Sequence, residues 1–218
     1  QRARSRPAVP RAGEVGRVRP IRQPNGEEEP NGGGGGGPPP PPPIRHLDLN
    51  MISVGFEDFT AADVANMNNA IQVTRTIYAT VRLNVRNIAF WQISVTDAGS
   101  HTVIDSQSEA EDLTSDWTVA NDFLDVFVVR AMNGADGWSA VDGSCDKNSK
   151  GMTGSVVSLN GSASNIANTL AHEVGHYLGL EHIPDSGNFI GGGGSSNSFT
   201  GIFGWQGTIM RRHCSVRS

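Results

Sequence analysis

Apolar residues recur along this chain at two different periods, and each change of period marks a new element. Ile44 to Phe56 (IRHLDLNMISVGF) alternates well enough to predict a first strand. The pattern then switches. Val64, Met67, Ile71, Thr74 and Tyr78 fall at steps of three and four, one face of a helix, with Thr60 as its N-cap. VRLNVRNIAFWQISV returns to a β pattern, either one strand or a bent pair. An acidic, polar stretch from Asp105 to Asp116 follows, and then LDVFVVRAM, a nearly continuous apolar run of the kind that forms a strand buried on both faces. GSVVSLN (Gly154 to Asn160) predicts another short strand.

The strongest helical pattern is SASNIANTLAHEVGHYLGL. Ile166, Leu170, Val174 and Leu178 repeat every four residues, and Ser162 or Ser164 can cap the start. At about 100° per residue, His172 and His176 project from the face opposite that stripe, where a cleft belongs.

Composition changes sharply near residue 43. Residues 1–43 hold seven arginines, an acidic triplet (Glu27 to Glu29) and the run GGGGGGPPPPPP, with almost nothing apolar to bury. Such a segment cannot offset the entropy of ordering and is expected to be a disordered tail or linker. It reads as a solvated tail or pro-segment. A polyanion-binding arm is the alternative. From residue 44 onward, ten Lys and Arg face eighteen Asp and Glu, a net charge of −8 that argues against nucleic-acid binding by the folded part. No apolar run is long enough to span a membrane, and no signal peptide is recognisable in this chain.

Three of the six histidines lie in HEVGHYLGLEH, from His172 to His182. Histidines at i and i+4 stand one helical turn apart, so both reach one metal ion. Glu173, beside the first, points along the same cleft, placed to hold a metal-bound water rather than the metal. A zinc site needs a third ligand and an open fourth position. His182 can supply that ligand only if the helix stops, and Gly179 can stop it by taking a left-handed conformation. The expected chemistry is hydrolysis of peptide bonds by a zinc-bound water activated by Glu173.

HExxHxxGxxH at these positions resembles the pattern of the metzincin superfamily of zinc endopeptidases, specifically its matrixin-like or pappalysin-like short-loop branch. The resemblance covers residues 44–218. It implies an α+β zincin fold: a twisted, mostly parallel sheet with an antiparallel edge strand, two long helices, and a small C-terminal subdomain (183–218) after an N-terminal one (44–182). It also implies zinc ligation by His172, His176 and His182, with Glu173 as general base. In the short-loop branch a Met-turn methionine lies eight positions after the third histidine, where this chain has Ile190. Ile190 is taken as occupant of that position over Met210, because choosing Met210 would leave only eight residues for a closing helix. With Ile190 there, SFTGIFGWQGTIMRRHC becomes that helix, with Thr200 near its cap and Phe203, Ile209 and Met210 available for packing. An isoleucine is tolerated because the turn residue supplies an apolar floor and no bond to zinc. By the same resemblance, substrate lies along an exposed strand edge at Ser155, Val156, Val157, Ser158 and Leu159. Ile183 to Gly194 then forms part of the wall beside the specificity pocket.

Cys145 and Cys214 are expected to pair as a disulfide, which favours an oxidising, extracellular setting over two free thiols in the cytosol. Neither lies in the basic tail, so a cysteine switch is not expected. The acids Asp105, Glu109, Glu111, Asp112 and Asp116 lack the spacing of a calcium loop, so Ca2+ is an unsupported option. His213 reads as a histidine of the terminal helix, and His46 and His101 as surface or strand residues. The expectation is a secreted, monomeric zinc endopeptidase acting on protein or peptide. The alternative is a zinc-stabilised binding module, weak or inactive as a catalyst.

Overall fold

The computed structural model describes residues 41–191 and 201–218. The expected tail therefore falls outside the described residues except for its last three positions, as do Thr200 and the glycines at 192–194.

A sheet in the order β2-β1-β4-β7-β6 organises the molecule, with strands β1 (Arg45–Val54), β2 (Leu83–Ile93), β4 (Leu124–Val129), β6 (Gly137–Trp138) and β7 (Ser155–Ser158). The β2–β1, β1–β4 and β4–β7 pairs are parallel, and β6 runs antiparallel to β7 as the edge strand. A short β8 (Val216–Arg217) pairs antiparallel with the start of β1 at His46 and Leu47. Strands β3 (Val103–Ile104) and β5 (Ala131–Met132) form a separate parallel pair.

Helices cover both faces. α1 (Ala61–Ala79) and α4 (Ala163–Tyr177) are the two long ones, and α2 (Val95–Ala98), α3 (Gln107–Asp116) and α5 (Gly204–Met210) are short. Leu47, Leu49 and Met51 of β1 enter the core beneath α1 and α4, while Ile52 and Val54 enter the second core, which holds Ala110 and Leu113 of α3. β1 is thus buried on both faces rather than on one, because it lies between two partner strands and two helical layers. β4 is buried throughout, as its apolar run implied. Its one charge, Asp125, is fully buried and accepts from Lys147 Nζ at 2.7 Å and Asn50 Nδ2 at 2.6 Å.

α1 begins as its sequence predicts: Thr60 Oγ1 accepts from Asp63 N at 3.2 Å and Asp63 Oδ2 accepts from Thr60 N at 2.8 Å, a reciprocal capping box. Met67, Ile71, Thr74 and Tyr78 are buried, whereas Val64 is 43% exposed in the first turn. The open choice for residues 83–93 resolves as one strand with a bulge. Leu47 pairs with Val85 but Leu49 with Ile88, so β2 carries one extra residue there. Asp48 holds the bulge by accepting from Asn87 N at 2.9 Å and from Arg86 Nη2 at 3.1 Å.

The closing helix is shorter than the sequence implied. α5 spans only seven residues; Met210 is fully buried, but Phe203 and Ile209 stay substantially exposed. A helix of two turns has room to bury one narrow stripe, and Gln206, Gly207 and Met210 occupy it. Among the described residues, no helix is long and apolar enough to cross a membrane.

Candidate active site

Helix α4 brings the histidines of the motif together by ending where it does. Ser162 caps its start, accepting from Asn165 N at 3.2 Å. Its end is a Schellman turn: Gly179 N donates to His176 O at 2.8 Å and Leu180 N to Gly175 O at 3.1 Å, with Gly179 at φ +98°. The chain reverses there, and His182 returns to the helix. The Nε2 atoms of His172 and His176 lie 3.0 Å apart, those of His172 and His182 3.0 Å, and those of His176 and His182 3.1 Å.

Two of these rings are oriented from behind. His172 Nδ1 donates to Phe189 O at 2.9 Å, and His176 Nδ1 to Leu180 O at 2.6 Å. With the Nδ1 protons so used, the Nε2 lone pairs of both face the common point. Burial lowers the pKa of His172 and, together with the neighbouring His172, that of His176 to about 4. Neutral acceptor nitrogens in mutual contact repel one another unless a cation lies between them, and ligand distances of about 2.0–2.1 Å suit Zn2+ in such a site. Carbonyl partners behind ligating histidines are the usual means of holding the rings for a metal. The residues present therefore fit zinc.

Glu173 is buried beside this cluster, its side chain against Gly137 of the edge strand. Burial, and next the charge of Asp136, push its pKa up to about 8 in the metal-free chain. A dication held nearby acts in the opposite sense by favouring the ionised carboxylate.

Ile190 is fully buried in the core beneath α4. A Cβ placed on Gly175 would meet Phe189 at 2.8 Å and Ile190 Cδ1 at 3.3 Å, so the turn carrying Ile190 presses against the helix between His172 and His176. Sequence reasoning missed what builds that turn. Asn188 Oδ1 accepts from Ile190 N at 3.1 Å, while the Asn188 and Gln206 side-chain amides bond reciprocally at 2.8 and 3.1 Å, both buried. α5 thereby fixes the floor of the site. A second missed contact holds the end of α4, where Asp142 N donates to His176 O at 3.1 Å, Gly143 N to Tyr177 O at 2.9 Å, and Tyr177 Oη to Ser144 O at 2.7 Å. No local motif in the sequence signals either arrangement.

The strand edge requires correction. Ser155, Val156, Val157, Ser158 and Leu159 are all buried, because β7 is paired on one side with β4 and on the other with β6. The free edge belongs to Gly137 and Trp138 of β6.

Cys145 and Cys214 form a disulfide. It joins the loop that holds α4 to the segment after α5. His213 lies beyond the end of α5 rather than within it, buried, its Nε2 donating to Gly143 O at 2.8 Å. The cluster of Cys145, His213 and Cys214 is no metal site, since both sulfurs are bonded to each other. Among the described residues, the five acids at 105–116 do not gather into a cluster able to hold an ion. Glu109 Oε2 instead accepts from Asp105 N at 2.8 Å, within the start of α3. His101 sits 3.8 Å from Glu109, and His46 lies in β1; neither joins the cluster of His172, His176 and His182.

A mostly parallel sheet with an antiparallel edge, packed against a helix that carries HEVGH and the turn that returns His182, has the metzincin-like zincin fold. The solved archaemetzincin (amzA) from Methanopyrus kandleri is similar in fold, with a TM-score of 0.51 at 14% identity over 77% of this chain and 95% of that one. Metalloproteinase-II from Bacteroides fragilis matches at a TM-score of 0.47 and 15% identity, over 71% of this chain and 48% of that one. No curated protein matches the sequence. Residues 62–183, more than half of the chain, match the model of Metallo-peptidase family M12B Reprolysin-like, and the chain belongs to that family. It is thus a metallopeptidase by family, and the family implies zinc as its cofactor.

Proposed function

We propose that the chain is a zinc endopeptidase, with His172, His176 and His182 holding one ion and Glu173 acting as general base. The observation that carries this is the meeting of three Nε2 atoms at 3.0–3.1 Å beside a buried carboxylate.

Zinc, when bound, polarises the scissile carbonyl and lowers the pKa of a water molecule. Glu173 accepts the proton of the attacking water and delivers it to the leaving amide nitrogen. The Phe189 and Leu180 carbonyls keep the imidazoles of His172 and His176 turned inward. Ile190, eight positions after His182, takes the Met-turn position as an apolar floor, and the short-loop assignment rests on that spacing alone. An extended peptide adds to the free edge of β6 through main-chain hydrogen bonds. The disulfide supports secretion into an oxidising compartment.

Cleavage of casein or a quenched peptide, with and without a chelator, tests the proposal. Chelator-sensitive cleavage that zinc restores supports it. A chain that binds zinc but cleaves nothing in a broad peptide library contradicts it.

A further inference from the structure

A glycine inside a strand weakens it, so one at a sheet edge calls for a local reason. Gly137 has a specific one. A Cβ built there would lie 2.5 Å from Glu173 Cγ, 2.8 Å from Cδ and 2.8 Å from Oε1, and these are its three nearest neighbours. Its φ is not in the left-handed region, so the position excludes a side chain by space alone.

The edge strand is held along its paired side. Gly137 pairs with Val157 and Trp138 with Val156, and Ser158 N donates to Asp136 O at 2.9 Å. Just beyond, Ser139 Oγ and Ser155 Oγ lie 3.0 Å apart, and Ser155 Oγ donates to Glu173 O at 3.3 Å. These bonds join β6, β7 and the backbone of α4 at the residue that bears the carboxylate. With the paired side of β6 and the backbone of α4 tied together in this way, an added methyl group bears first on the Glu173 side chain.

We infer that Gly137 is a positioning residue for Glu173: its bare backbone forms the wall that fixes the carboxylate between the edge strand and the ligand helix. This rests on the general-base assignment above. It adds that the geometry of the base is set by a residue outside the motif, thirty-six positions earlier in the chain.

The test is a double-mutant cycle of wild type, Gly137→Ala, Glu173→Ala and the combination. Each protein is measured for zinc content, thermal unfolding of the zinc-loaded and zinc-free forms, and steady-state peptide cleavage. G137A is expected to retain one zinc per chain and to lose about 100-fold in kcat, with KM within about threefold, the loss expected of a base misplaced by about 1 Å. It is also expected to unfold at a lower temperature than wild type. In the E173A background the three atoms that the methyl group would strike are gone, so it should lower neither the melting temperature nor the residual rate.

An equal drop in melting temperature in both backgrounds would show that the methyl strikes backbone, and would overturn the inference. So would an unchanged kcat in G137A. If G137A does not fold, the combined variant decides, because the inference requires that it folds. Should wild type prove inactive, the proposed function fails, while the unfolding cycle still reads the Gly137–Glu173 contact by itself.

Discussion

His172 donates its Nδ1 proton to the carbonyl oxygen of Phe189, one residue before the buried Ile190. The orientation of the His172 imidazole and the packing of Ile190 beneath α4 are therefore set by one turn. Asn188 holds that turn, and Gln206 of α5 holds Asn188. Loss of volume at Ile190 should be felt at the metal. Ile190→Ala is expected to cost about 2–5 kcal/mol in urea unfolding and to weaken zinc binding. Ile190→Met should stay within about 1.5 kcal/mol of wild type and keep both zinc and activity.

Removal of the base should separate binding from turnover. Glu173→Ala is expected to keep one zinc per chain while kcat falls by about 10²–10⁴, the usual contribution of a positioned acid–base group. Metal analysis and cleavage assays on the same preparation check it.

The zinc-free protein should show a pH signature of the same residue. The pKa of Glu173 in the folded chain is about 8 against an ordinary 4.5, so between those values the folded state holds the extra proton. Its contribution to stability is complete below pH 4.5 and is lost as pH rises through 8, with a slope of up to about 1.4 kcal/mol per pH unit. His176, lowered to about 4, acts oppositely, and stability rises with pH from about 4 to the ordinary 6.5. Glu173→Gln should abolish the alkaline decline and leave the acidic rise. Denaturant unfolding of chelated protein across pH 4–9 reads both.

Gly179→Ala places a side chain at φ +98°, where its Cβ also meets Ile209 Cγ2 at 3.1 Å. The left-handed backbone alone costs about 1–2 kcal/mol. Because His182 is delivered by this turn, zinc affinity should fall with stability. Calorimetry with zinc measures both effects on one sample.

Reduction of Cys145–Cys214, or its replacement by serines, opens a 69-residue loop. The chain-entropy estimate is roughly 4 kcal/mol. Release of the loop that caps α4 should also lower zinc retention under mild denaturant, read by metal release into a chromogenic chelator.

The meeting of the three histidines was legible because eleven consecutive residues carry it: helical period places two of them, and one glycine returns the third. α1 and β4 were legible for similar local reasons, a capping residue and an apolar run. Burial of β1 on both faces was not, since it depends on which strands and helices come to lie beside it. The edge of the sheet was misplaced because its edge strand is two residues long, Gly137–Trp138, and shows no alternation. GSVVSLN showed the stronger strand pattern because its strand is interior. The Asn188–Gln206 pair gave no signal at all, because two amides eighteen residues apart look like any polar loop positions.

Zinc X-ray absorption on stoichiometrically loaded protein tests the central claim most directly. The account predicts one zinc per chain, three imidazole nitrogens at about 2.0–2.1 Å and one further light ligand from solvent, with the pattern lost in His182→Ala. Sulfur in the coordination sphere, or an unchanged spectrum in that variant, would contradict it.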